Sequence, residues 1–340
     1  MSPRWLDLIV DPIDRLPLHL DGHELIATNG ARYPVIDGIP VLLNADLPAT
    51  HRVAARSLGF AKLARQGSTV SLLDAVSLWP RSRECIQREI DAGSPAEEAA
   101  IRWLIPLTNG QGYCVPAPGE EIPIPNFPMR GRDEVLLDVG CSWGRWTIAA
   151  ARADFRVIGI DPMLGPLMAA KRFAASQGMD VDYVCGYARC LPFADGRFDR
   201  VFSCSTLQHF SDESCEASLA EIARILRPGG ESLIQMAHRI GVRSLWKQAQ
   251  RRFRKPERFE VRYRSLSRML SMFTHAIGPT SVSIDCFFGL GLQDSDVRHM
   301  RPLARAATTA SEFLKRLARV FPTLRFCADS LFVHSSRPRA

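Results

Sequence analysis

From Arg130 onward the chain alternates short, nearly continuous apolar runs with longer stretches in which apolar residues recur every three to four positions. The runs are EVLLDV, RVIGI, VDYVC, FDRVFS and ESLIQMA; helical patterns follow the first two, and DESCEASLAEIARIL precedes the last. Such runs, alternating with helices, predict a mostly parallel sheet covered on both faces. Two further strands, SVSIDCFF and DSLFVHS, enclose a helical stretch from Leu303 to Val320. The beginning of the chain reads differently. Residues 1–45 are short strands punctuated by Asp-Gly and Asn-Gly turns, LDLIV, DGHELIA and RYPVIDGIPVLL. Residues 46–130 start as a helical, Ala/Leu-rich region from His51 to Trp79 and continue with SPAEEAAIRWLI, where Ser94 and Pro95 supply helix-start chemistry. Six prolines from Pro106 to Pro128 then exclude a continuing helix or central strand and predict an ordered loop.

At 340 residues the chain has room for roughly two domains, and its composition, 46% hydrophobic and 23% charged, is that of a globular protein. No apolar stretch approaches the ~20 residues that span a bilayer, and Asp7 and Asp11 interrupt the N-terminus too early for a secretory core. The nine cysteines contain no Cys-x-x-Cys pair, which predicts free thiols in a reducing cytoplasm. The net charge of +7 has one source: between Arg239 and Arg268 eleven Lys/Arg stand against only Glu257 and Glu260.

Candidate chemistry sits at the strand ends. In open parallel sheets ligands lie beyond the carboxyl ends of the strands, beside the first glycine-rich loop. Here that loop is DVGCSWG, which does not fit the G-x-G-x-x-G spacing of a dinucleotide site. It resembles the D-x-G-x-G-x-G motif of class I S-adenosylmethionine-dependent methyltransferases of the small-molecule type, with Asp138, Gly140, Ser142 and Gly144 at the four positions. A carboxylate there is repelled by a pyrophosphate and favoured by a cationic ligand. Later strand ends agree with this resemblance. RVIGIDPM places Asp161 where an acidic side chain accepts from ribose hydroxyls, YARCLPF resembles D-A-x-x-L-P-F, and ILRPGGESLI resembles the helix, turn and strand that follow. The resemblance covers residues 131 to about 238 and implies a Rossmann-like seven-stranded sheet within a domain of residues 131–340.

What the resemblance implies is S-adenosylmethionine as cofactor, held by Asp138, Gly140, Cys141, Ser142, Gly144, Asp161, Pro162, Met163, Tyr187, Ala188, Arg189, Ser203 and Cys204. Two of these depart from the family pattern. Ser142 replaces the middle glycine, and its hydroxyl is suited to the cofactor carboxylate; Tyr187 replaces the Asp that accepts from the adenine amino group, which shifts adenine recognition toward stacking and the backbone at Ala188. After the fourth strand, SCSTLQHF stands in place of the N/D-P-P-Y/F of amine and amide methyltransferases, which favours an oxygen or carbon acceptor. His209 is the candidate catalytic base there; a helix-capping or packing histidine is the structural alternative.

Residues 1–45 resemble the zinc-ribbon-like domain of the methyltransferase-activator family through the phrase YPVIDGIPVL, but Asp11, Asp14, Ile26 and Asn29 occupy the cysteine positions, so no metal is expected. Between about 239 and 275 the sequence predicts a basic lid. Val242, Trp246, Ala249 and Phe253 form one helical stripe, expected to rest on the methyltransferase domain, and Arg243, Lys247, Arg251 and Arg254 form another. The resulting expectation is a cytoplasmic methyltransferase acting on oxygen or carbon of a small or lipid-linked, anionic metabolite, with no stable nucleic-acid partner and no transmembrane segment. The oligomeric state does not follow from the sequence. An RNA methyltransferase and a cofactor-deficient scaffold remain as alternatives.

Overall fold

A computed structural model describes residues 4–44, 46–47, 52–77, 80–108 and 112–339; His51 and Trp79, the limits expected for the first helical region, lie outside them. Strands β1 (Leu18–Asp21), β2 (Glu24–Ala27), β3 (Arg32–Ile36) and β4 (Ile39–Pro40) make an antiparallel four-stranded sheet in that order. Helices α1 (Arg52–Arg65), α2 (Leu72–Val76), α3 (Pro80–Asp91) and α4 (Ala96–Thr108) follow. The remaining elements alternate as the apolar pattern requires: β5 (Val135–Val139), α5 (Arg145–Ala151), β6 (Arg156–Asp161), α6 (Leu164–Ser176), β7 (Asp182–Cys185), β8 (Phe198–Ser203), α7 (Asp212–Ile225) and β9 (Leu226–Ala237). The chain ends with α8 (Val242–Gln250), α9 (Leu266–Ala276), β10 (Thr280–Cys286), α10 (Pro302–Leu317) and β11 (Ser330–Ser336).

These seven later strands form one sheet in the order β10-β11-β9-β8-β5-β6-β7, with β11 antiparallel to both of its neighbours and the other pairings parallel. The fold class is therefore the expected Rossmann-like α/β sheet with a separate β-rich unit before it. Strand alternation separates the two faces. Leu137, Val139, Ile158, Ile160 and Val184 pack with Leu219, Ile222 and Phe273 of α7 and α9, while Leu136, Val157, Phe202 and Leu233 pack with Trp146 and Ala149 of α5. Helix starts carry their own chemistry. Ser211 accepts from Ser214 N ahead of α7, with Asp212 and Glu213 in its first turn, and Ser265 accepts from Arg268 N ahead of α9.

The N-terminal unit covers the exposed edge of the sheet beside β7, an edge that would otherwise leave backbone groups unpaired. Leu42 N donates to Cys185 O at 2.8 Å, Val10 N to Pro192 O at 3.0 Å and Ala194 N to Leu8 O at 2.9 Å. Inside that unit, Asp11 accepts from Ile13 N, Asp14 N and the Tyr33 hydroxyl, and Asp14 accepts from the Asn29 amide. Hydrogen bonds thus join Asp11, Asp14 and Asn29, and no group of His, Cys, Asp or Glu suited to a metal ion occurs among the described residues. All nine cysteines are unpaired, and no helix among the described residues is long and apolar enough to cross a membrane.

One sequence expectation is reversed. The apolar stripe of α8 does not rest on the domain beneath it: Val242 is 55% exposed, Trp246 56% and Phe253 67%. The helix is held instead by its polar side, where Ser244 N donates to the Asp329 carboxylate at 2.6 Å and the Gln248 amide donates to Arg239 O at 2.7 Å. Ser244 is the residue of this helix that is buried against the domain.

Candidate active site

The glycine-rich loop leaves β5 and folds against the end of β6. Gly140 N and Cys141 N both donate to Ile160 O, and Gly144 N closes the turn on Cys141 O. Gly140, Ser142 and Gly144 all have positive φ, +78°, +50° and +78°. The two glycines are required by space as well as by angle: a Cβ at Gly140 would collide with Thr206, and one at Gly144 would sit 2.5 Å from the Tyr183 hydroxyl. Ser142 therefore adopts the backbone conformation of the glycine it replaces. Its N–H donates to Asp161 Oδ2 at 3.0 Å, and its hydroxyl is buried with no partner among the described residues.

Two carboxylates stand below this loop. Asp138 is buried and accepts from the Thr147 hydroxyl at 2.7 Å, so it braces the first turn of α5. Asp161 accepts on its other oxygen from Met163 N at 2.9 Å. Burial pushes Asp138 up to about 7, with the charge of Asp161 adding to the rise and Thr147 opposing it; burial likewise pushes Asp161 up to about 6. The pair is an electrostatic vacancy for a cation, because a positive charge nearby would let both acids ionise fully.

Other predicted positions gather at the same strand ends. Gly186 N donates to Asp161 O and the Cys185 thiol lies 3.5 Å from Pro162 O, which aligns the ends of β6 and β7. Tyr187 is buried, its hydroxyl has no partner among the described residues, and burial raises its pKa; Ala188 and Arg189 follow it half-buried. On the other side of the loop, Ser203 gives its hydroxyl to Val139 O at 2.8 Å, and half-buried Cys204 is raised out of the ordinary thiol range by burial. Cys141 turns its sulfur toward Gly159 and Tyr183, beneath the loop.

His209 ends a short 3-10 turn, Leu207–His209, after β8. Its ring stacks on Phe259 at 4.2 Å between centroids and 7° between planes, and Nδ1 lies 2.8 Å from Phe259 O. A carbonyl only accepts, so Nδ1 is the donor in this contact.

Several site-forming residues escaped the sequence reading. Arg145, Tyr113 and Asp296 form a buried cluster: Arg145 Nη2 donates to the Tyr113 hydroxyl at 2.7 Å and to Asp296, and the Tyr113 hydroxyl donates to Asp296 at 2.8 Å. It joins the start of α5 to the proline-rich loop and to a C-terminal turn, segments with no local spacing in common. Trp143 is buried and donates from Nε1 to the Thr108 hydroxyl at 3.0 Å, which seats α4 on the loop. Gln235 accepts from Ser205 N at 2.7 Å and donates to Ser330, fixing the chain just beyond β8.

Part of the chain is similar to known proteins. Residues 136–230 match the family model described as a methyltransferase domain. The ubiquinone biosynthesis O-methyltransferase of Brucella anthropi is 30% identical over 115 residues, 34% of this chain and 46% of the relative. The demethylmenaquinone methyltransferase of Renibacterium salmoninarum is 33% identical over 99 residues, 29% of this chain and 39% of the relative. The chain thus spans less than half the length of these curated relatives. A solved structure of phosphoethanolamine N-methyltransferase 2 from Haemonchus contortus, in complex with S-adenosyl-L-methionine, is 20% identical over 62% of this chain and 50% of its own, with a TM-score of 0.41. The segment 136–230, which carries the acidic strand ends and the left-handed loop, is thus similar to a methyltransferase domain.

Proposed function

We propose that the chain is an S-adenosylmethionine-dependent methyltransferase that moves a methyl group to an oxygen or carbon of a small or lipid-linked metabolite. The observation that carries this reading is the pair of buried carboxylates, Asp138 and Asp161, whose raised pKa values mark a place lacking a positive charge. The residues fit the cofactor. Asp161 has accepted one N–H on each oxygen and retains lone pairs for ribose hydroxyls; the unpartnered hydroxyls of Ser142 and Tyr187 are suited to a carboxylate and to an adenine amino group. Gly140, Cys141, Gly144, Pro162, Met163, Ala188, Arg189, Ser203 and Cys204 are the remaining residues proposed to hold or support the cofactor.

When bound, S-adenosylmethionine supplies an electrophilic methyl group on a sulfonium sulfur. Asp138 balances positive charge from beneath the loop while bracing it through Thr147. The protein's further task is to align the acceptor and exclude water. For a hydroxyl acceptor, His209 is the proposed proton acceptor, with its ring oriented by the Phe259 carbonyl at Nδ1. The relative named as a ubiquinone biosynthesis O-methyltransferase supports an oxygen acceptor on a small molecule. In the N-terminal unit, the Asp14–Asn29 hydrogen bond supports reading a zinc-ribbon-like fold in which polar contacts take the place of metal. The test is incubation of the full chain and methyl-labelled cofactor with cell extract: one lipophilic or small-molecule species gains label by mass spectrometry. Label in RNA alone, or in nothing, contradicts the reading.

A further inference from the structure

The outward face of α8 is assigned no role by the methyl-transfer reading. On this nine-residue helix, Val242, Leu245, Trp246 and Ala249 fall on one side, and all four are exposed, with Leu245 at 42%. The inward side carries Ser244 and Gln248, so the helix is amphipathic in the reverse of the usual sense. Ile240 before the helix and Phe253 after it extend the apolar patch, at 48% and 67% exposure. Around it stand Arg239, Arg243, Lys247, Arg252, Lys255 and Arg258, none of which forms an ion pair among the described residues, and the Lys247 ammonium lies 4.8 Å above the Trp246 ring.

We propose that this face docks on an anionic lipid bilayer, with Val242, Leu245, Trp246 and Phe253 entering the headgroup boundary and the surrounding cations pairing with lipid phosphates. Charge complementarity selects this occupant. A basic rim around an exposed apolar stripe is the pattern of an interfacial helix, in which apolar burial and attraction to anionic headgroups add. A second copy placed face to face would bring like charges together, and a nucleic acid backbone would engage the cations while leaving the stripe uncovered. The segment after α8 returns to the candidate active site: Phe259 stacks on His209, and Arg262 N donates to Gln208 O at 2.8 Å. Docking through α8 would thus hold that site near the bilayer surface. The inference stands without the methyl-transfer reading, because membrane capture is measured with no cofactor present.

The experiment is co-sedimentation of the full chain with vesicles of phosphatidylcholine alone or with one third phosphatidylglycerol. The expected result is capture by the anionic vesicles at least about tenfold above the neutral ones, weakened at about 0.5 M salt. The double variant L245E/W246E should lower capture about tenfold while retaining the circular dichroism and melting temperature of the parent, and R243E/K247E should also lower it. Three results overturn the proposal: full-length protein left in the supernatant with anionic vesicles at low salt; capture unchanged in both double variants; or no vesicle capture together with self-association or RNA retention through the same residues.

Discussion

The Ser142 N–H donates to Asp161 at 3.0 Å from a backbone held at a φ of +50°, so the residue that departs from the glycine pattern also positions the second strand-end carboxylate. A left-handed φ costs a non-glycine residue roughly 1–2 kcal/mol, and glycine's unfolded-state entropy offsets part of that. Ser142→Gly should therefore stabilise the fold by up to about 1 kcal/mol. Ser142→Ala keeps the angle and loses the buried hydroxyl, and should weaken binding of S-adenosylhomocysteine by about three- to tenfold, consistent with one lost hydrogen bond. Thermal melts and calorimetric titrations of the two variants check these outcomes; equal binding by Ser142→Ala removes the hydroxyl from the site.

The carboxylate pair predicts a pH signature. Asp138 and Asp161 titrate near about 7 and about 6 in the folded chain, above the ordinary carboxylate range. Between that range and pH 7 the folded state binds more protons than the unfolded one, so their contribution to stability is complete at acid pH and lost as pH rises through 6 to 7. A cationic ligand favours the ionised pair. The melting-temperature increase produced by S-adenosylmethionine should accordingly grow from about pH 5.5 to about pH 7.5. Asp138→Asn, which can still accept from Thr147, should raise the ligand-free melting temperature at the higher pH and abolish most of the ligand response. A response independent of pH would remove the charge argument.

His209 separates chemistry from binding. If its imidazole removes the acceptor proton, His209→Ala should lower kcat by about 10² to 10⁴ with little change in the Kd of S-adenosylhomocysteine. Phe259→Ala keeps the carbonyl but removes the stacked ring, and should lower kcat less. Single-turnover rates beside calorimetry distinguish the cases; an unchanged kcat in His209→Ala leaves His209 a packing residue.

The buried Arg145–Asp296 contact predicts a large stability effect that is measurable without any ligand. Asp296→Ala strands a buried guanidinium and should cost about 3–5 kcal/mol, whereas the double change Arg145→Met with Asp296→Ala should cost less. Urea denaturation of the parent, Asp296→Ala, Arg145→Met and the double variant measures it. Additive losses would show that the two residues act independently.

How much of this was legible follows from which forces act locally. The sheet was readable because parallel strands must be apolar on both faces, as Leu136, Leu137 and Val139 are. Asp138 and Asp161 stood out because carboxylates at the ends of such strands break the apolar run. Helix α3 went unread because its buried residues include only Ser82 and Ile86, too few to mark a period. The inversion of α8 was illegible for another reason: periodicity reports that a helix has two faces, while the distant Asp329, which accepts from Ser244 N, is not encoded along the helix. The Arg145 cluster joins positions 113, 145 and 296, and no pattern along the chain encodes that meeting.

The most direct measurement of the central claim is calorimetric titration of S-adenosylhomocysteine into the parent chain and into Asp161→Ala. The account predicts saturable one-to-one binding by the parent and at least about a tenfold loss in the variant, the effect of removing a charged hydrogen-bonding partner. Absence of binding by the parent at millimolar ligand, or equal affinity in the two proteins, would contradict it.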